Sequence, residues 1–528
     1  MNETLEYLQT FARFPFALRK FLKNRLTLED AKRIVLERME HREENFLRVV
    51  EKSVYGYPRS PYLPLLKMAG CELGDLRALV KQKGLEGALR ELREEGVYVT
   101  YEEFKGRKPI VRNGKTFSVT TRDFDNPSAQ RDFFVQTGGS TGAAMNIGVD
   151  LDQLAASAPH ELLTCDAWNV IDAPCVIWRG ILPDSAIKFI ILTAYLRNPP
   201  RRWFSHMGLR DSKQWIKYSL ATYYIVAWMR ALGVPVPFPE YATINQASRV
   251  VRAIATLLPR NQQCLVRTSI SRGVRICDEA EKTGISLNGV TIRGVGEPAT
   301  PAKIKAIERT NARLLINYSL AEAGSLGNGC AHTEAVGDVH LFTDAFALFT
   351  FPFRVEEQNM VVPAFNLTTL LPAAPKMLLN YQMDDYGIVE ERACGCSLGT
   401  YGFTTHLREI RSYSKLVGEG VTLIGNELLK IIEEVLPARF GGTSLDYQLL
   451  EQENEHGFTR LFLLVHPRLA ITNEQAVIDV VLNALRQSSQ MANVARAVWQ
   501  QTQTIQIKRQ EPILTERGKL MPLHIQRQ

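Results

Sequence analysis

Short apolar runs such as "APCVIWRGILP" and "RLLINYSL" alternate through the middle of the chain with helix-like stretches such as "PAKIKAIERTNA". Runs of that length, punctuated by glycine and proline, read as sheet strands, and strands alternating with helices build an α/β body. The chain has 528 residues, too many for one compact core, so about two to four domains are expected.

The flanks have other rhythms. Up to about residue 100 the sequence is charged, and its apolar positions recur every three or four residues, which predicts a helical segment packed on the body. In the tail, Asn426 is expected to cap a helix that Pro437 stops near Leu436. "DYQLLEQ" and "TRLFLLVHP" flank the turn "ENEHG" as a hairpin, Thr472 and Gln475 form a capping box for the next helix, and a last strand lies near "TIQIKR". The expected organisation is therefore a helical segment over 1–100, a large body of mixed sheets and helices over 101–410, and a small mobile α+β domain over 411–528.

Composition narrows the function. The net charge of +7 is spread thinly, without the Lys/Arg runs of a nucleic-acid-binding face, so neither DNA nor RNA is expected as a partner. The most apolar segment, "YSLATYYIVAWM" at 218–229, is interrupted by hydroxyls and too short for a membrane span, and reads as a buried helix. The first residues carry no secretory pattern, and a cytoplasmic location is expected. Eight cysteines are too few for a disulfide scaffold in a chain of this length.

One loop, "FFVQTGGSTGAAMN" at 133–146, combines three glycines with a Ser-Thr pair and lacks the lysine of a P-loop. Its backbone amides and hydroxyls can wrap an anion. Further along come, in order, "GVGEPAT" from Gly294, "NYSLAEAG" from Asn317, "NYQMDDYG" from Asn380, "IRSYSKLVGEGV" from Ile410 and "PILTERGKL" from Pro512. This ordered set resembles the adenylate-forming superfamily of acyl-CoA synthetases, most closely its phenylacetate–CoA ligase branch, over roughly residues 100–528.

The resemblance implies roles residue by residue. Thr137, Gly138, Gly139, Ser140, Thr141 and Gly142 match the loop that holds the ATP β- and γ-phosphates. Gly296, Glu297 and Pro298 match a strand-end turn lining the adenine pocket, and Tyr318 matches the aromatic that stacks on adenine. Glu322 matches the Mg²⁺-binding carboxylate. Asp385 matches the carboxylate that accepts the ribose hydroxyls, with Asp384 one residue away as a register ambiguity. Arg411 matches an arginine that reaches ribose or phosphate, and Gly420 a glycine that faces the active site after domain rotation. Lys519 matches a lysine swung over the α-phosphate in the first step only. The chain departs from the family at Ser319, at Ala321, where a hydroxyl is usual, and at the hinge, where Tyr413 and Ser414 replace an acidic residue.

Cys394 and Cys396, in "ERACGCSLG", can point two thiolates at one ion, and Cys330 is followed by His332 and His340. Three thiolates and one imidazole make a closed structural zinc site, and members of the resembled branch carry a similar one. His340 is preferred to His332, because "DVHLF" is similar to a family strand. Three buried thiols that bind nothing are the plain alternative.

The function implied is an ATP- and Mg²⁺-dependent ligase that joins a small carboxylic acid to coenzyme A through an acyl-adenylate. A carrier-protein thiol, an amine, a luciferase-type acyl-protein synthetase and a non-catalytic zinc-bearing protein are the rivals. Trp178, Trp203 and Phe204 hint at an aromatic or apolar acid, and a homodimer is left open.

Overall fold

The computed structural model describes residues 3–136, 146–184, 186–206, 215–296, 299–333, 335, 337–355, 360–412, 430–453, 459–486, 505–514, 520–521 and 523–526. The fold is mixed α/β, and one long sheet runs through its body. Across that sheet the strands follow the order 346–355, 360–369, 381–391, 405–412, 339–341, 324–329, 313–320, 290–295, 264–269, 175–178, 202–205 and 240–241. From Arg313–Leu320 to Glu240–Tyr241 every neighbour is parallel, whereas from Arg313–Leu320 towards Phe346–Val355 every neighbour is antiparallel. Cys264–Ser269 and Val290–Val295 are buried at every position, as strands covered by helices on both faces must be.

Arg313–Leu320 is thus the strand on which the sheet changes sense, and beneath it lies a sealed polar network. Glu161, on the helix Leu151–Ala167, accepts from Arg293 at 2.6 Å and from Arg267. Arg293 also donates to Asn328 at 3.1 Å, and Asn328 accepts from Asn317 at 2.6 Å, which ties the helix to both halves of the sheet. Burial alone would raise the Glu161 pKa, but the two guanidiniums outweigh it and hold this carboxyl well below its usual range.

The N-terminal segment is helical up to Glu94, as expected. Its Val50, Leu66, Leu76 and Leu89 share one core with Phe342, Leu367 and Leu378 of the body. The helix Trp215–Ala231 departs from expectation. Ile225, Val226 and Met229 are buried, but Leu220 is 66% exposed and Ile216 55%, so it lies on the surface with one apolar side outward. Interruption by hydroxyls did not distinguish the two cases. Among the described residues, no helix is long and apolar enough to cross a membrane.

The tail forms a four-stranded sheet in the order 505–509, 459–465, 447–453 and 523–526, with the helix Glu474–Arg486 packed on it. The hairpin falls where the sequence placed it. Other details differ. Asn426 lies outside the described residues, and Pro437 does not stop its helix. A π-turn over Ile431–Val435 runs directly into Leu436–Phe440, so the helical path continues past Pro437. The Glu474–Arg486 helix is capped by Asn473, whose side chain accepts from the Ala476 amide at 3.1 Å, rather than by Thr472. Leu523–Gln526 adds a strand that the sequence reading did not foresee.

Tail and body meet through buried side chains. Leu445 and Leu520 belong to the core built around Val266, Val274 and Ile292 of the body. Glu433 pairs with Lys303 at 3.4 Å and accepts from Thr300, the N-cap of the body helix Pro301–Glu308. Lys303 and Glu433 are almost sealed from water, with side chains 1% and 3% exposed.

Candidate functional site

Tyr318 sits near the end of the Arg313–Leu320 strand, at a register shift between Tyr318 and Ser319. Asp385 lies on Tyr381–Glu391, next to a second shift between Tyr386 and Ile388. Bulges of this kind bend a strand and re-aim its side chains. Gly387 fills the second one because any larger residue would collide, its Cβ falling 2.7 Å from the Arg408 carbonyl oxygen. The outcome is a contact between remote segments, in which the Tyr318 hydroxyl donates to an Asp385 carboxylate oxygen at 2.8 Å. Burial and the charge of Asp385 push the Tyr318 phenol well above its ordinary range, so it remains the donor.

Glu322 follows within the same turn and is buried, 6% exposed, as is Asp385. It is paired with Lys105 at 2.5 Å. Tyr381 lies among these groups, and its phenol is raised by burial first and then by the negative charges of Glu322, Asp384 and Asp385. The two neighbouring aspartates are distinguished by geometry. Asp384 accepts from the Ser412 hydroxyl at 2.9 Å, whereas Asp385 faces Tyr318. Asp385 is thus the aspartate that the Tyr318 hydroxyl reaches directly.

Arg411 stands opposite Tyr386 in the ladder, one position from the Asp385–Ser412 pair, and its guanidinium contacts Glu409 at 2.8 Å. Gly296 has φ of 76° immediately after the Val290–Val295 strand, a left-handed turn that suits glycine. Thr137 to Gly142, Glu297, Pro298, Gly420 and Lys519 lie outside the described residues. Leu514 and Leu520, which bracket Lys519, pair with each other and pack against the body. Trp178, Trp203 and Phe204 are corrected to core residues. All three are buried strand positions, and the two indoles donate to the Ala242 and Arg179 carbonyls, so the hint of an aromatic acid loses its basis in them.

A single buried carboxylate with two further carboxylates nearby fits Mg²⁺, which is held through one or two protein carboxylates and otherwise by phosphate oxygens and water. Lys105 was not foreseen, because "EEFKGRKP" reads as an ordinary solvated stretch and only the tertiary fold carries the lysine to Glu322.

At the far end of the same strands Cys330, His340, Cys394 and Cys396 bring one ligand atom each within 4.8 Å of all the others. The His340 Nδ1–H donates to the Phe403 carbonyl at 2.6 Å, which turns Nε2 towards the sulfurs. Nε2 lies 3.1 Å from Cys396 Sγ and 3.7 Å from Cys394 Sγ. Ordinary zinc bond lengths at a tetrahedral angle would place such atoms about 3.5 Å apart. His332 instead directs its ring to the Cys394 carbonyl, in keeping with the preference for His340. The Cys330–Cys396 hydrogen bond lowers the Cys396 thiol and pushes Cys330 up, as for one proton shared between two sulfurs. A second grouping, Cys330 with Asp338 and His406, is less suited, because Asp338 is already engaged by His406 and Arg392.

No family model and no curated protein matches the chain. It is similar to several solved structures. One is 2-hydroxyisobutyryl-CoA ligase in complex with 2-HIB-AMP and CoA, at 13% identity and a TM-score of 0.43, covering 92% of this chain and 90% of that one. Another is McyG A-PCP complexed with phenylalanyl-adenylate, at 11% identity and a TM-score of 0.43, covering 85% and 72%. A third is ATP-bound MatB from Rhodopseudomonas palustris, at 12% identity and a TM-score of 0.43, covering 74% and 66%.

Proposed function

We propose that this chain is an adenylate-forming ligase that activates a carboxylic acid with ATP and passes the acyl group to a thiol, with coenzyme A as the acceptor. The observation that carries the reading is the convergence of Tyr318, Glu322 and Asp385. Sequence motifs far apart in the chain name these residues for one nucleotide; the Tyr318 hydroxyl reaches the Asp385 carboxylate, and buried Glu322 lies four residues beyond Tyr318.

In this reading the acid's carboxylate oxygen attacks the α-phosphorus of ATP, the bond to the β-phosphate bridging oxygen breaks, and pyrophosphate leaves. The thiol sulfur then attacks the acyl carbon, the bond to the AMP oxygen breaks and the thiol proton is lost to solvent. Asp385 accepts the ribose hydroxyls and fixes the nucleotide. Tyr318, hydrogen-bonded to Asp385, lays its ring beside the base. Glu322 would hold Mg²⁺, which when bound would offset repulsion among the phosphates. Lys519 and the glycine-rich loop would donate to phosphate oxygens, so the chain contributes mainly position and charge. The tail, here docked on the body, would turn away for the second step. Cys330, His340, Cys394 and Cys396 would hold a structural zinc ion. A carrier-protein thiol or an amine as acceptor would use the same first step.

ATP–pyrophosphate exchange, measured over a panel of aryl, aliphatic and amino acids, tests the reading. An acid that drives exchange is the expected result, and none across a broad panel would sink it. Product mass with coenzyme A supplied or omitted identifies the acceptor.

Two predictions separate the roles. Glu322→Gln should depress exchange and raise the Mg²⁺ requirement by about tenfold or more, in line with the loss of a charged ligand. Asp385→Ala should weaken ATP and AMP binding at every Mg²⁺ concentration. Equal, metal-independent losses in both would mean a wrong assignment. For zinc, purified protein should carry about one ion per chain, and Cys394→Ser should release it and lower the melting temperature before chemistry suffers. Elemental analysis and calorimetry decide, and metal-free protein of undiminished stability would count against the site.

A further inference from the structure

Lys105 closes the short helix Tyr101–Phe104, and its placement is fixed by the strand that carries Asp385. Val99 and Thr100 pair in parallel with Tyr381 and Gln382, and Thr100 and Glu103 cap the helix reciprocally. Glu103 is further clamped by Arg112, which contacts it at 2.8 Å. The ammonium is therefore delivered to Glu322 by a braced turn rather than by a loose arm. The pair is largely withdrawn from water, with side chains 18% and 8% exposed, so its attraction is weakly screened.

The carboxylate that the adenylation reading gives to Mg²⁺ thus already has a cation on it. Glu322, Asp384 and Asp385 crowd around Tyr381, and a divalent ion with oxygen ligands suits such a setting better than a single ammonium does. While paired with Glu322 the lysine nitrogen also lies 5.3 Å from the centre of the Tyr101 ring and 5.5 Å from that of Phe104, distances at which an aromatic face attracts a cation and keeps the ammonium in place without the carboxylate.

We propose that Lys105 is the resident counter-cation of Glu322, displaced from the carboxylate when a divalent ion takes it, and that it thereby sets the metal concentration at which the site fills. This inference rests on the adenylation reading of Glu322. Lys105 acts through Glu322 and is a positioning residue.

Direct Mn²⁺ binding to the whole chain, followed by electron paramagnetic resonance without nucleotide, tests it apart from activity. Removal of a charge-assisted bond of this type corresponds to about tenfold to a hundredfold in a competing equilibrium. Lys105→Met should therefore bind Mn²⁺ at least about tenfold more tightly than the parent, and Lys105→Arg, which retains a cation, should behave like the parent. Adding Glu322→Gln to Lys105→Met should erase the gain. Unchanged or weaker Mn²⁺ binding in Lys105→Met would overturn the proposal. Thermal unfolding reports whether the methionine variant is folded, and Lys105→Gln provides the same comparison if it is not. Failure of pyrophosphate exchange in the parent would count against the adenylation reading instead, and the Mn²⁺ titration would still decide on Lys105.

Discussion

Replacement of Lys519 by alanine should slow pyrophosphate exchange by about 10²–10³-fold, the usual cost of removing one donor from the charge that develops in a transition state. Transfer from pre-formed acyl-adenylate to the acceptor should stay within about twofold of the parent if, as proposed, the tail then carries this residue away from the α-phosphate. Leu514 and Leu520, on either side of Lys519 in the sequence, pair with each other and pack against the body. The asymmetry is the measurement that matters. Misfolding or a damaged nucleotide pocket would slow both half-reactions together, and an intact first step would end the role given to Lys519.

The second large effect is on stability. Glu161→Ala should destabilise the body by about 3–5 kcal/mol, because it strands two buried guanidiniums that share this carboxylate. Urea unfolding followed by tryptophan fluorescence should show an earlier midpoint. Glu51→Ala, which opens an exposed pair with Arg77, should barely move it. The pH dependence has a definite sign. The folded-state pKa of Glu161 is depressed, so its contribution is complete above the ordinary value of 4.5 and fades as pH falls below it. The parent should therefore lose part of its advantage over Glu161→Ala in acid. A constant gap from neutral pH down to about pH 3 would contradict the charge argument.

The difference between those two sites marks what the sequence could reveal. Tyr318, Glu322 and Asp385 could be singled out because each lies in a short motif whose order along the chain is informative, and the Tyr318 hydroxyl does reach Asp385. The tail hairpin was legible because alternation and a polar turn are local signals. Glu161, Arg267 and Arg293 were not singled out. Each sits in an unremarkable helix or strand, and their partnership exists only once the strands are in register. Lys105 was hidden for the same reason. Trp178 and Trp203 erred in the other direction, since a large aromatic in a strand reads equally well as pocket wall or as core, and backbone carbonyls waiting inside the fold decided for core. Pro437 shows the local version of this limit, because its meaning depends on whether the turn before it is α or π.

The sealed contact between Lys303 and Glu433 bears on how the molecule responds to heat. Releasing the tail from the body wets both ions. Hydration of charged groups becomes less favourable as temperature rises, so wetting them returns less in a warm solution than in a cold one. Salt offers little relief, because mobile ions scarcely reach a pair so enclosed. The seam should therefore hold more firmly on warming, against the general tendency of a protein to loosen. In the proposed two-step cycle, the transfer step, for which the tail is set free, should gain less from each added degree than adenylation does.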